Sequence, residues 1–194
     1  MNFAEYSPLA LRTAKQLTSE QNLRHAAILM ISEAGEIADA IKAFAIYGKP
    51  LDRVNLLEEV GDLLWGLNLH ITYSSTLNLS VVDEVFEGYA LYPPVRITDS
   101  WSLVDLAILI GSRASALGLP LKAGGRPARV AVSSLCTALV LLLDYLDTTF
   151  EHALTTNIAK LAKRYGDKYS DYKAVSRDLE AERTVLEGKH AKAN

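Results

Sequence analysis

Apolar residues recur at helical spacing along most of the chain, and no stretch alternates apolar and polar positions over the length of a strand. The pattern reads as all-α. Ser7-Pro8 fits an N-cap followed by proline at the first helical position. Thr18-x-x-Gln21 has the spacing of a capping box for a long helix to about Tyr47, where Gly48 and Pro50 stop it. Asp52 can cap the next helix, to about Ile71. Ser80-x-x-Asp83 starts a short one that ends before Pro93-Pro94. Asp99 or Ser100 starts another, to about Leu117, and "GLPLKAGGRP" is a turn-rich loop. A very apolar helix runs from about Ala128 to Asp147, and Thr148-x-x-Glu151 opens one that ends near Tyr165-Gly166. A charged final helix covers about 171–187, and 188–194 is read as a disordered tail.

With 194 residues, the chain is long enough for one domain with a real core or two very small ones. Apolar residues make up 49% and charged residues 22%, which excludes a disordered class. The net charge of −3 gives no general attraction to nucleic acid or an anionic membrane, so neither is expected as a partner. The longest apolar stretch, around 135–143, is too short to span a bilayer. No basic start followed by an apolar region marks the N-terminus, and the single cysteine, Cys136, cannot pair internally. The expectation is a soluble cytoplasmic protein with Cys136 buried.

An internal repeat runs through this pattern. "GKPLDRV" at 48–54 matches "GRPARV" at 125–130 with one residue deleted, and the helices before and after each match line up. "SVVDEVFEGYALY" at 80–92 then sits against "TFEHALTTNIAKL" at 149–161. This gives two tandem, divergent four-helix units: a repeat over 1–94 and a second over 95–187. The alternative is a single compact domain with an inserted helical hairpin.

The first unit carries an unusual set of acids. In "SEAGEIADAIK", Glu33 and Glu36 share a helix face, one turn apart. In "LLEEVGDLLWGL", Glu59 and Asp62 repeat that geometry, with Glu58 beside them. The short "FAIYGKP" joint makes the two helices antiparallel neighbours. Ile31, Ile37, Ala40 and Ile41 on one, and Leu56, Leu63 and Leu67 on the other, flank the acids, which therefore point to the packing interface or its rim. Two like charges about 4 Å apart repel by roughly 4 kcal/mol at an effective dielectric near 20. Few basic residues share these faces, so a hard divalent cation held by carboxylate oxygens is the natural partner. This acid pattern lacks the Glu-x-x-His pairs of di-iron bundles, which disfavours redox iron.

Glu33-x-x-Glu36, a gap of 22 residues and then Glu59-x-x-Asp62 resembles the metal motif of the MazG-like, all-α nucleoside triphosphate pyrophosphatases. That superfamily also holds dimeric dUTPases, dCTP pyrophosphatases and phosphoribosyl-ATP pyrophosphatase. "NIAKLAKRYGDKYS…RDLEAER" resembles the helix and tail of bacterial and phage members. The resemblance covers about 1–71 and 149–187; the segment between departs from the single-copy pattern. It implies an all-α bundle and Mg²⁺, with Mn²⁺ as a substitute, held by Glu33, Glu36, Glu59 and Asp62. It also implies hydrolysis of a (deoxy)nucleoside triphosphate to monophosphate and pyrophosphate in nucleotide-pool control, with Glu36 or Glu58 taking the proton from water. Family members are dimers or tetramers, so a homo-oligomer is expected unless the internal duplication replaces it.

The two units kept different parts. Aligned on the repeat, Glu33 and Glu36 correspond to Ile110 and Arg113, and Glu59 and Asp62 to Leu135 and Ala138, so the second unit has no metal ligands. Asn157 and Lys160 correspond to Gly88 and Leu91, so only the second unit keeps the polar, basic helix. The expectation is a fused pseudo-dimer with one site built from both units. Asn157, Lys160 and Arg164 share a face and, by the resemblance, bind substrate; Trp65 and Tyr165 are candidates to stack on a base. The rival readings are a non-catalytic nucleotide-binding helical protein and a metal-carrying bundle without nucleotide specificity.

Overall fold

The computed structural model describes residues 1–74, 77–91, 97–118 and 128–188. They form α1 (Phe3–Leu11), α2 (Ser19–Ala45), α3 (Arg53–Tyr73), α4 (Ser80–Leu91), α5 (Ser100–Gly118), α6 (Ala128–Tyr145), α7 (Phe150–Tyr165), α8 (Asp171–Val175) and α9 (Leu179–Leu186). Among the described residues there is no strand. Of "GLPLKAGGRP" only Gly118 is described; Pro93, Pro94 and the tail beyond Gly188 also lie outside the described residues.

Most helix starts follow local chemistry. The Thr18 hydroxyl accepts from the Gln21 N–H while the Gln21 side chain accepts from the Thr18 N–H, the expected capping box of α2. Asp52 caps α3 through the Asn55 N–H, and Asp99 caps α5 through the N–H groups of Trp101 and Ser102. Thr149, one residue past the expected Thr148, caps α7.

Three further local signals act differently from the sequence expectation. α1 begins at Phe3, with an Asn2/Glu5 capping box, and runs through Pro8. Pro8 removes one internal hydrogen bond, but Phe3, Tyr6, Ser7 and Ala10 are all buried, and that burial selects the earlier start. At α4, Asp83 does not cap its own helix. Its carboxylate accepts from the Phe3 and Ala4 N–H groups and so ties the start of α1 to α4. The single helix expected over 171–187 is two, because Asp178 accepts from the Ala181 N–H and starts α9 afresh.

α2 packs along both α3 and α5; α6 packs on α5, and α4 on α6. α7 lies against α3, α1 and α9. One hydrophobic core draws on α1 to α7. α3 alone buries Leu56, Leu57, Val60, Leu63, Leu64, Leu67, Leu69 and Ile71. At about 1.5–3 kcal/mol for each such side chain, α3 is the firmest platform on which to mount charged groups. Ile31, expected among the flanking apolar residues, is exposed, whereas Ile37 and Ile41 are buried. Ile110, Leu135 and Ala138, aligned by the repeat with three of the acids, are fully buried in the core. Cys136 is also buried, and burial pushes its thiol pKa up. Among the described residues no single helix is long and apolar enough to cross a membrane.

Candidate active site

α2 and α3 run side by side, and their acids open into a cleft of about 930 Å³. Gly66 of α3 sits directly against Leu29 and Met30 of α2, which sets how close the two helices come. One carboxylate oxygen each of Glu33, Glu59 and Asp62 lies within 4.8 Å of the others. Glu36, on the same face of α2, lines the cleft but stands outside this trio, and it makes no hydrogen bond or ion pair among the described residues.

α7 supplies the other side. The Asn157 amide donates to Asp62 Oδ1 at 2.8 Å and accepts at its own oxygen from the Tyr6 hydroxyl at 2.7 Å. Lys160 is fully buried, with Nζ 2.5 Å from Asp62 Oδ2 and 3.2 Å from Glu58 Oε1. The compensating cation that the faces of α2 and α3 lack is therefore brought by a helix almost a hundred residues away. A buried charge needs partners of this kind, and the geometry commits Lys160 to the acids.

Charge balance is still incomplete. Burial, reinforced by the Asp62 charge, raises the pKa of Glu33. Burial, a hydrogen bond with Glu33 and the Asp62 charge raise that of Glu59. Like charges this close are costly to ionise together, which is why both carboxyls are harder to deprotonate than usual. Such a trio fits a hard divalent cation, which Glu33, Glu59 and Asp62 would hold through their carboxylate oxygens. Mg²⁺ and Mn²⁺ both suit this donor set.

A second ion cluster, largely unexpected from sequence, closes the cleft at the α8–α9 break. Arg164 grips Glu182 with Nε and a terminal nitrogen, at 2.8 and 2.5 Å. Arg177 reaches the same Glu182 at 2.8 Å and Glu58 at 3.6 Å. Burial pushes the Glu182 carboxyl up, but its bonds to Arg164 and Arg177 outweigh that and hold it at about 2. Arg164, expected at substrate, is thus engaged by a buried carboxylate. Sequence reasoning missed Glu182 and Arg177 because "SRDLEAER" looks like a solvated, charged helix face.

The remaining wall is aromatic. The Trp65 indole N–H donates to the Ala10 carbonyl and the Thr13 hydroxyl at 3.3 and 3.2 Å, and its ring meets His25 edge-on. Tyr165 and Tyr169 lie with ring centroids 5.5 Å apart, and all four rings line the cleft. Burial lowers the pKa of His25 and favours its neutral ring. Trp65 and Tyr165 thus both line the cleft.

The chain matches no curated protein and no solved structure. Residues 21–89, which hold all five cleft acids of α2 and α3, match the family model of the MazG nucleotide pyrophosphohydrolase domain, a match consistent with the MazG-like superfamily.

Proposed function

We propose that the protein is a divalent-metal-dependent pyrophosphohydrolase that converts a (deoxy)nucleoside triphosphate to monophosphate and pyrophosphate. The observation that carries this reading is the convergence of Glu33, Glu59 and Asp62 with Asn157 and Lys160 in a cleft whose other wall is aromatic. A nucleotide offers both kinds of surface: anionic oxygens at one end and a flat base at the other. Glu33, Glu59 and Asp62 would hold Mg²⁺, with Glu36 facing it from the next turn of α2. Bound there, Mg²⁺ neutralises phosphate charge and lowers the pKa of water.

The chain's own groups have separate tasks. Asn157 and Lys160 fix Asp62 in place. Glu58 is held by two cations, whereas Glu36 is unpaired among the described residues, so Glu36 is the better proton acceptor for a water attacking the α-phosphorus. Trp65 and Tyr165 flank the base. The role served is control of a nucleotide pool.

We also propose that the site is the working half of a fused pseudo-dimer, units 1–94 and 95–187. The helix pairing is unchanged when α2 is exchanged with α5, α3 with α6, and α4 with α7. The pair α2–α3 becomes α5–α6, α3–α7 becomes α6–α4, and α2–α5 maps onto itself. In that scheme the second site is lost to the core residues Ile110, Leu135 and Ala138.

The test is pyrophosphate release with Mg²⁺ across ribo- and deoxynucleoside triphosphates, with the co-product identified. Turnover of one or two of them, giving the monophosphate, is expected. Tight Mg²⁺-dependent nucleotide binding with no turnover of any would replace this reading with a binding protein.

A further inference from the structure

Among the described residues, five cations line the cleft or lie against its acids: Lys15, Lys160, Arg164, Arg177 and Arg183. Four of them are committed. Lys15 pairs with Asp171 at 2.6 Å. Lys160 is fully buried against Asp62 and Glu58. Arg164 grips both oxygens of Glu182. Arg183 forks onto both oxygens of Asp52 at 2.9 Å and also reaches Glu187.

Arg177 is different. A single terminal nitrogen makes both of its contacts, a hydrogen bond to Glu182 at 2.8 Å and a looser approach to Glu58 at 3.6 Å. A guanidinium has five N–H donors in a planar fork. The side chain is 37% exposed and projects from the non-helical corner between α8 and α9. Glu182 is itself 2% exposed and anchored by Arg164, so it aims the fork without using it up.

The order of groups along α3 says which part of a nucleotide would meet it. Trp65 marks the aromatic wall, Asp62 and Glu59 the metal trio, and Glu58 the residue facing Arg177. From Trp65 to the cleft-lining Asn55 the helix rises about 15 Å, which accommodates a nucleoside triphosphate laid along it. With the base at Trp65 and the α-phosphate at the trio, the terminal phosphates fall beside Glu58.

Resting on the pyrophosphohydrolase reading, we infer that Arg177 binds the terminal phosphates of the substrate, exchanging its loose contact with Glu58 for a bidentate grip on the departing pyrophosphate, with Glu182 as its positioning residue. Bidentate recognition of phosphate is the task for which arginine is suited and lysine is not.

The test is calorimetric binding of inorganic pyrophosphate and, separately, of nucleoside monophosphates to the full chain with Mg²⁺, in the wild type, Arg177→Lys and Arg177→Ala. The expected result is pyrophosphate affinity at least about tenfold weaker in Arg177→Ala, partly restored in Arg177→Lys, with monophosphate affinity unchanged. For any triphosphate turned over, KM rises with the same order of variants. Unchanged pyrophosphate affinity in Arg177→Ala overturns the inference, as does equal weakening for pyrophosphate and monophosphate, which would mark a structural role. Absence of turnover in the wild type would instead count against the pyrophosphohydrolase reading, while the binding series still decides the role of Arg177.

Discussion

Gly61 of α3 and Asn157 of α7 touch: a Cβ added at position 61 would lie 3.0 Å from both Cβ and Nδ2 of Asn157. The glycine is the gap through which α7 approaches α3, and the same Asn157 amide then holds Asp62. In Gly61→Ala the gain in helix propensity, about 1 kcal/mol, offsets an overpacking cost of about 1–3 kcal/mol. The net effect is a loss of stability between about 0 and 2 kcal/mol. Turnover should fall at least about tenfold, equal to about 1.4 kcal/mol in the barrier, because Asn157 and Asp62 are displaced. Steady-state kinetics beside a melting curve separates the two effects.

Tyr6 acts one contact further out. Its ring is fully buried and its hydroxyl donates to the Asn157 oxygen at 2.7 Å. Tyr6→Phe leaves that oxygen unpaired in the interior, at a cost of about 1–3 kcal/mol. Denaturant unfolding should show this loss, with a smaller fall in turnover than in Gly61→Ala, since the amide-to-Asp62 bond is still possible.

The raised pKa values of Glu33 and Glu59 make stability depend on pH. Glu33 and Glu59 both have folded pKa values raised above the ordinary carboxylate value of 4.5. Below that value they are protonated whether or not the chain is folded. Above it the unfolded chain ionises first, so native stability declines as pH rises toward the raised values. Without divalent metal, Tm should fall from about pH 5 upward through neutrality. Millimolar Mg²⁺ should reduce this fall, with an uptake enthalpy that depends on the buffer because protons are released. Ligand at a hundred times its Kd contributes about 2.7 kcal/mol. A Tm that rises with pH in the absence of metal would contradict this assignment.

Removing the acids should have unequal structural effects. Glu59→Ala relieves like-charge crowding and should abolish turnover without loss of stability. Asp62→Ala should also abolish turnover, but it takes the nearer partner from the fully buried Lys160. Breaking such a pair costs about 3–5 kcal/mol, so Asp62→Asn is the cleaner variant for kinetics. Turnover retained in Glu59→Ala and in Asp62→Asn would remove the metal assignment.

What could be read from sequence was what is local. The Thr18/Gln21 box, the Asp52 cap and the two i, i+3 acid pairs all depend on residues within one turn of each other. Pro8 misled because two start signals compete in α1, and the burial of Phe3 and Tyr6, a tertiary effect, decides between them. The partners of the acids were less legible. Lys160 meets Asp62 across 98 positions, and Arg164 meets Glu182 across a helix break that charge pattern alone does not reveal. Gly61 gave no signal either, since a helical glycine declares a close approach only once the opposing helix is known.

The most direct test of the pyrophosphohydrolase account is hydrolysis of a turned-over nucleoside triphosphate in ¹⁸O-labelled water with Mg²⁺, followed by mass analysis of both products. Water attacking the α-phosphorus places one label in the monophosphate and none in the pyrophosphate, which is the expected result. Label in pyrophosphate or in orthophosphate would mean attack at another phosphorus and would contradict the placement of the reacting centre at Glu33, Glu59 and Asp62.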